Sequence, residues 1–183
     1  MDDDLLLVKQ VLNGNIDSFS ILVNKYELTI LKFIYNIVND KEAAEDIAQE
    51  VFITVYNKLY TYKSDYKFSN WIFQISRNKA IDYMRKYKRV YEANVEDVSI
   101  ISKDLSPDEI LEYRETKVLV ENFVRNLNEI DRHIITLKYL DDYITFVDIS
   151  EILGMSESSV KRRYYKVRDK FKEYIAVKEK RCK

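Results

Sequence analysis

Glycine and proline are almost missing from this chain, with two and one respectively among 183 residues. Tight β-hairpins need residues at positive φ, so a strand-built fold would have little to turn with, and an all-α chain is expected. A single cysteine, Cys182, excludes an internal disulfide. A single histidine, His133, leaves no cluster with metal-ligand spacing. Both residues read as incidental, His133 at a polar helix position, and no metal or cofactor is expected. No run approaches the ~20 apolar residues that cross a bilayer. The start, MDDDLLLVKQ, is acidic and lacks the basic region of a signal peptide. A cytoplasmic protein without membrane insertion is the expectation.

An excess of charge is missing too: the net value is −1, which alone gives no hint of nucleic acid. The distribution does. Residues 77–91 hold six basic side chains against one acid, Asp82, and residues 156–183 hold eleven against four. The stretches 92–107 and 108–155 are acidic on balance. Such segregation lets two separate patches attract phosphate while acidic faces meet a basic partner. The length permits one large or two small domains. Residues 91–105, YEANVEDVSIISKDL, lose the helical period and read as a flexible acidic linker. Two small helical domains, 1–90 and 106–183, are therefore expected. Ser106-Pro107-Asp108-Glu109 marks the second start, with an N-cap serine, proline at the first helical position and Leu105 and Ile110 spaced as a staple.

In the first domain, Leu5–Leu12 reads as a short helix ending near Gly14. Asp17 is the expected N-cap of a second helix, Ser18–Val38, with Ile16 and Ile21 as its staple. Asn39-Asp40 breaks that run and caps a third, NDKEAAEDIAQEVFITVYNKLY. On a period of 3.6, Ala44, Ile47, Ala48, Val51, Phe52, Val55 and Leu59 share one side, a stripe suited to a core. The other side collects Glu42, Asp46, Gln49, Glu50 and Asn57 around Ile53. This is either a solvated face with a stray apolar residue or an acidic docking face for a basic partner. A loop, Tyr62–Lys67, follows, then a helix from an N-cap at Ser69. Trp71, Ile72, Ile75, Ala80, Tyr83 and Met84 turn inward on it, and Gln74, Arg77, Asn78 and Arg85 outward. Basic charge interleaved with aromatic residues suits phosphate attraction and stacking on unpaired bases.

The second domain reads as helices at Pro107–Leu127, Asn128–Tyr139, Thr145–Leu153 and Ser156–Val177. Gly154 supplies the positive φ that ends the third, and Ser156 caps the fourth with Met155 and Val160 as staple. Helix, three-residue turn, helix is the helix-turn-helix pattern. Val160, Tyr164, Val167, Phe171 and Ile175 line one face of the last helix. The opposite face shows Ser158, Ser159, Arg162, Tyr165 and Lys166, flanked by Lys161, Arg163 and Arg168. Arginine pairs bidentately with guanine in the major groove, and a capped helix start meets phosphate.

The segments AAEDIAQEVFITVYNKL and FSNWIFQISRNKAIDYMRK resemble region two of the extracytoplasmic-function (ECF) sigma factors, promoter-recognition subunits of bacterial RNA polymerase. The matching positions are Glu45-Asp46, Gln49-Glu50-Val51-Phe52, Phe68, Trp71, Arg77-Asn78 and Ala80-Ile81-Asp82. LKYLDDYITFVDISEILGMSESSVKRRYYKVRDKF resembles region four of the same family through Leu140, Ile149, Ile152-Leu153-Gly154, Ser156, Val160-Lys161 and Arg163. Arg162 stands where the family tends to carry a small residue. The resemblance implies no enzymatic activity. It implies that Glu42, Asp46, Gln49, Glu50 and Ile53 meet the polymerase clamp helices. Tyr62, Lys63, Ser64, Asp65, Tyr66, Lys67, Trp71, Arg77, Asn78 and Arg85 would meet the minus-ten element. Ser158, Ser159, Lys161, Arg162, Arg163, Lys166 and Arg168 would read the minus-thirty-five element, with the polymerase flap on the domain's other surface. An anti-sigma factor is a further partner common in the family, although no residue here marks one out.

Two DNA elements about 25 base pairs apart lie some 85 Å apart at ~3.4 Å per pair. A linker of ~16 residues extends to at most ~55 Å, and two domains of ~12 Å radius of gyration cover the rest. Bridging therefore needs a stretched chain. In isolation the domains are expected to collapse together, occlude both basic patches and bind promoters weakly. A stand-alone helix-turn-helix regulator would explain 128–177 but give the acidic face at 42–57 no task. A nucleic-acid enzyme would need a carboxylate cluster, and Glu45, Asp46 and Glu50 diverge around their helix.

Overall fold

The structure, a computed structural model, describes residues 3–87, 116, 118–140 and 143–181. The expected linker, the helix start at Ser106 and Cys182 lie outside the described residues. Every regular element among those described is helical, as the scarcity of turn-forming residues predicts.

Helices α1 (Asp3–Leu12), α2 (Asp17–Val38), α3 (Lys41–Lys58) and α4 (Phe68–Tyr87) form the first unit, with a 3-10 turn at Leu59–Thr61. Its core follows the apolar stripes: Ile30, Phe33 and Ile34 of α2, Ala44, Val51 and Val55 of α3, and Ile72, Phe73 and Ala80 of α4 are all buried. The rings of Phe33 and Phe73 meet edge-on at 5.3 Å. Each large side chain removed from water in this way contributes roughly 1.5–3 kcal/mol. On α3 the inward positions Ala43, Ala44 and Ala48 are small, which lets α2 and α4 approach closely. The α2–α3 corner matches expectation. Asn39 ends α2 at φ 56°, and the Asp40 carboxylate accepts the Ala43 amide at 2.9 Å.

The second unit holds α5 (residues 118–125), α6 (Glu129–Leu140), α7 (Phe146–Leu153) and α8 (Glu157–Arg181). Ile134 and Leu137 of α6, Ile149 and Ile152 of α7, and Val160 and Val167 of α8 are buried together. Phe123 brings α5 onto Phe171 of α8 at 4.9 Å. Thr145 and Asp148 form a reciprocal capping box at the start of α7. Gly154 closes the helix at φ 64°, and the Ser156 hydroxyl accepts the Ser159 amide at 3.3 Å. This is the expected helix-turn-helix.

Three local expectations are corrected. Asp17 is the first helical residue of α2 and not its cap: its amide donates to the Asn15 side chain at 3.1 Å, and Ile16 and Ile21 are exposed instead of stapled. Helix α4 begins at Phe68, one residue before the expected Ser69 cap, because Phe68 is drawn into the core. His133 is not at a polar position but is only 1 % exposed, packed 6.5 Å from the Phe33 ring where α6 lies on α2. The two units are in contact, α6 on α2 and α7 on α4.

Candidate nucleic-acid and partner interfaces

The acidic side of α3 stands clear of the core. Glu42, Asp46, Gln49 and Glu50 are exposed, and Ile53 at their centre is 62 % exposed. Lys79 of α4 donates to the Glu50 carboxylate at 3.0 Å, an exposed pair of small energetic weight. Tyr56 and Tyr60 extend the face toward the loop, and Tyr60 is 76 % exposed. Neither tyrosine is among the docking residues expected from the sequence, although both follow Ile53 at helical spacing.

The loop that follows is held from within. The Tyr62 hydroxyl donates to the Tyr66 carbonyl at 2.6 Å, closing the turn. The Tyr62 ring packs 5.6 Å from Phe68 and 5.4 Å from Trp71, and Phe68 reaches Tyr26 of α2 at 5.7 Å. Tyr62 is therefore a brace, and Trp71 is half-buried against it. Lys63, Ser64, Asp65, Tyr66 and Lys67 remain exposed on the rim, with Asn78 and Arg85 further along α4.

Arg77, expected on the outer side of α4, is half-buried. Its Nε donates to His133 Nδ1 at 3.5 Å. Burial, then the nearby Arg77 and Arg132 cations, bring the His133 ring down from 6.5 to about 4, so it is neutral near pH 7. Lys67 has its ammonium 2.9 and 3.0 Å from the two carboxylate oxygens of Asp148. Asn70, absent from the sequence-derived site, is 5 % exposed and donates to Asp148 at 2.9 Å and to Glu151 at 2.6 Å. A buried amide is ordinary in sequence, and only the docked α7 reveals its partners. Burial pushes the Asp148 carboxyl up, but hydrogen bonds from the Thr145 hydroxyl, Lys67, Asn70 and the Thr145 amide outweigh it and bring it to about 2.

On α8 the cationic side is open. Ser158, Lys161, Arg162, Lys166 and Arg168 are exposed, and Ser159 is half-buried. Arg168 lies 4.8 Å over the Tyr165 ring, and Lys161 pairs with Glu157 at 2.7 Å, which raises its pKa. Arg163 turns away: its guanidinium meets Asp131 of α6 at 2.7 Å and ties α8 to its own domain. The expectation that both basic patches are occluded is not met: α8 is open, and of Arg77, Asn78 and Arg85 on α4 only Arg77 is drawn against the second unit while Asn78 and Arg85 stay exposed. Behind α8, Val120, Phe123, Ile135, Leu140 and Phe171 line an apolar groove of about 440 Å³. Among the described residues no group of His, Cys, Asp and Glu is placed to hold a metal ion. No described helix is long and apolar enough to cross a membrane.

Residues 22–90 match the family model of Sigma-70 region 2, and residues 117–171 match that of Sigma-70 region 4. The chain is 29 % identical over 177 residues to the ECF RNA polymerase sigma factor SigW of Bacillus subtilis, covering 92 % of this chain and 94 % of that one. The chain belongs to the ECF sigma factors. The RNA polymerase sigma-H factor of Pseudomonas aeruginosa is 28 % identical over the same length, covering 92 % of this chain and 91 % of its own. The fold is similar to that of CnrH, solved with the cytosolic domain of CnrY, at a TM-score of 0.73 and 20 % identity over 96 % of this chain and 99 % of that one. It is also similar to RpoE of Bartonella quintana, solved with the anti-sigma factor NepR, at a TM-score of 0.68 and 19 % identity over 87 % and 97 %. As an ECF sigma factor the chain is a transcription initiation factor whose partners are core RNA polymerase and promoter DNA. The α3 face lies in the region-two match, and the helix-turn-helix lies in the region-four match.

Proposed function

We infer that this sigma factor docks on core polymerase through α3 and spans a promoter with α4 and α8. The carrying observation is the exposed acidic face of α3 with Ile53 at its centre. A regulator acting without polymerase would have no use for it. Asp46, Gln49 and Glu50 supply charge complementarity to a basic clamp surface, and Ile53 supplies the desolvated centre that gives an interface its affinity. Glu42 extends the rim.

The loop from Tyr62 to Lys67 captures an unstacked minus-ten base. Tyr62 and Trp71 fix the loop's shape, Tyr66 offers an exposed ring, and Arg77, Asn78 and Arg85 hold phosphate upstream. Stacking offsets the few kcal/mol needed to extrude a base. Ser158, Ser159, Lys161, Arg162, Lys166 and Arg168 address the minus-thirty-five duplex. Arg163 serves it indirectly, by fixing α8 through Asp131. The apolar groove behind α8 faces the flap. Residues 1–90 and 106–183 act as two domains joined by 91–105. The chain does no bond chemistry of its own and works in the cytoplasm. An anti-sigma factor is proposed as its antagonist, supported by the partners solved with CnrH and RpoE.

Transcription in vitro with core polymerase on a promoter library tests the reading. Initiation at a discrete set of start sites sharing two upstream elements is expected. Start sites no different from those of core enzyme alone would overturn it.

A further inference from the structure

Helix α1 precedes the region-two match, which begins at residue 22, yet polar contacts fasten it to the first unit. Asp4 on α1 is 5 % exposed. One of its carboxylate oxygens accepts from the Tyr26 hydroxyl and the other from the Lys25 ammonium, both on α2. Near the far end of α1, the Ser18 hydroxyl donates to the Gln10 side chain at 2.7 Å. Docking alone does not call for a buried carboxylate, which costs free energy until it is paired and hydrogen-bonded. Apolar side chains such as the buried Val8 hold a short helix without that cost. What Asp4 adds is a fixed point for the far end of the Tyr26 side chain.

The Tyr26 ring packs 5.7 Å from Phe68, itself 1 % exposed. Phe68 in turn stands 5.6 Å from Tyr62 and 5.9 Å from Trp71, the rings that hold the loop from Tyr62 to Lys67. A bond at the hydroxyl fixes the tilt of the ring on which Phe68 rests. Helix α1 also touches the 3-10 turn Leu59–Thr61 that feeds the loop. One helix therefore braces both the entry of the loop and the aromatic stack behind it, while Lys63 to Lys67 stay exposed. Sites keep their geometry when hydrogen bonds behind them lock the rotamers in front. Asp4 stands in that place, two rings behind Tyr62.

We propose that Asp4 is a positioning residue for the minus-ten loop, acting through the Tyr26 hydroxyl and the Phe68 ring on the shape in which the loop receives a base. The proposal rests on the assignment of that loop to DNA made above. Asp4 touches no DNA in this role. The buried Tyr26 hydroxyl requires an acceptor and not a charge. Lys25, with a side chain 48 % exposed, answers to water as well as to Asp4. An amide at position 4 therefore serves the loop, and an aliphatic side chain does not. Loss of one hydrogen bond to a charged acceptor is worth about a tenfold change, which sets the scale expected on base capture.

Trp71 is the single tryptophan of the chain, so its fluorescence reads the stack directly. The full-length wild type is compared with Tyr26→Phe, Asp4→Leu, Asp4→Asn, the double variant Asp4→Leu/Tyr26→Phe and, as a control on the stability of α1 alone, Val8→Ala. Acrylamide quenching of Trp71 is measured on the folded chain. Open-complex formation is measured with core polymerase on a promoter recovered from the library. Tyr26→Phe and Asp4→Leu are each expected to make Trp71 more readily quenched and to cut open-complex formation about tenfold, with unchanged affinity for core polymerase. The double variant should fall no further than either single one, because both break the same bond. Asp4→Asn should recover most of the loss. Val8→Ala should lower the melting temperature and leave quenching and open complexes at wild type. Wild-type quenching or wild-type open-complex formation in Tyr26→Phe, which keeps the ring and stays informative even if Asp4→Leu does not fold, would overturn the relay. So would additive losses in the double variant, or a Val8→Ala variant that reproduces them. Discrete start sites from the wild type on the library then show that the relay alone has failed; their absence removes the sigma reading with it.

Discussion

Glu50 carries most of what a single side chain can say about docking. It sits beside Ile53 on α3, and it pairs with Lys79, a partly exposed neighbour, at 3.0 Å. Charge reversal there costs the fold little but sets like charge against a basic clamp. Glu50→Lys should lower affinity for core polymerase at least about tenfold, ~1.4 kcal/mol, with an unchanged circular-dichroism spectrum and melting temperature. His133 answers to pH. Its folded value of about 4 lies below the ordinary 6.5, so between those two limits the unfolded chain takes up a proton that the folded chain refuses. Its contribution is complete above pH 6.5, falls as acid is added and is gone below 4; the loss approaches about 3 kcal/mol. Asp148, held at about 2 against 3.8, gives up its share in the lower window, between those values. Urea midpoints measured across pH should fall through the histidine window in the wild type and run flat there in His133→Gln.

At the scale of elements, the helix-turn-helix depends on how α7 ends. Gly154 holds φ 64°, a left-handed conformation that costs an L-residue roughly 1 kcal/mol. An added Cβ would meet nothing within 4 Å, so the cost is backbone strain alone. Gly154→Ala should lower the melting temperature by a few degrees, as ~1 kcal/mol does in a domain of this size, and keep the fold. A change of Phe33, wholly buried against Phe73, should be far harsher: Phe33→Ala is expected to cost ~3–5 kcal/mol in chemical denaturation. These elements were the legible part of the sequence. Asp40, Gly154 and Ser156 act within a turn of their own helix, so residue type and position were enough to read them. Ser69 and Asp17 misled for the opposite reason: burial of Phe68 and the Asn15 side chain set those helix starts. The acidic α3 face was legible from period alone, because its partner side is core. Asn70, Arg77 and His133 were not, since each is defined by a helix more than fifty residues away in sequence.

Across the whole molecule, the same two units must be close together and far apart by turns. In the structure α7 rests on α4, while binding two elements ~85 Å apart at ~3.4 Å per pair demands extension. Docking on core polymerase is the step proposed to hold the two units apart. Energy-transfer probes on α4 and α8 should report short distances in the free chain and a large increase when core enzyme is added without DNA. Under the proposed function, polymerase binding is expected first and promoter reading second. Size-exclusion chromatography of the chain mixed with core RNA polymerase puts this most directly. The chain is predicted to move into the polymerase peak through its α3 face, and a chain that elutes at its own volume in the presence of excess core enzyme would contradict the account.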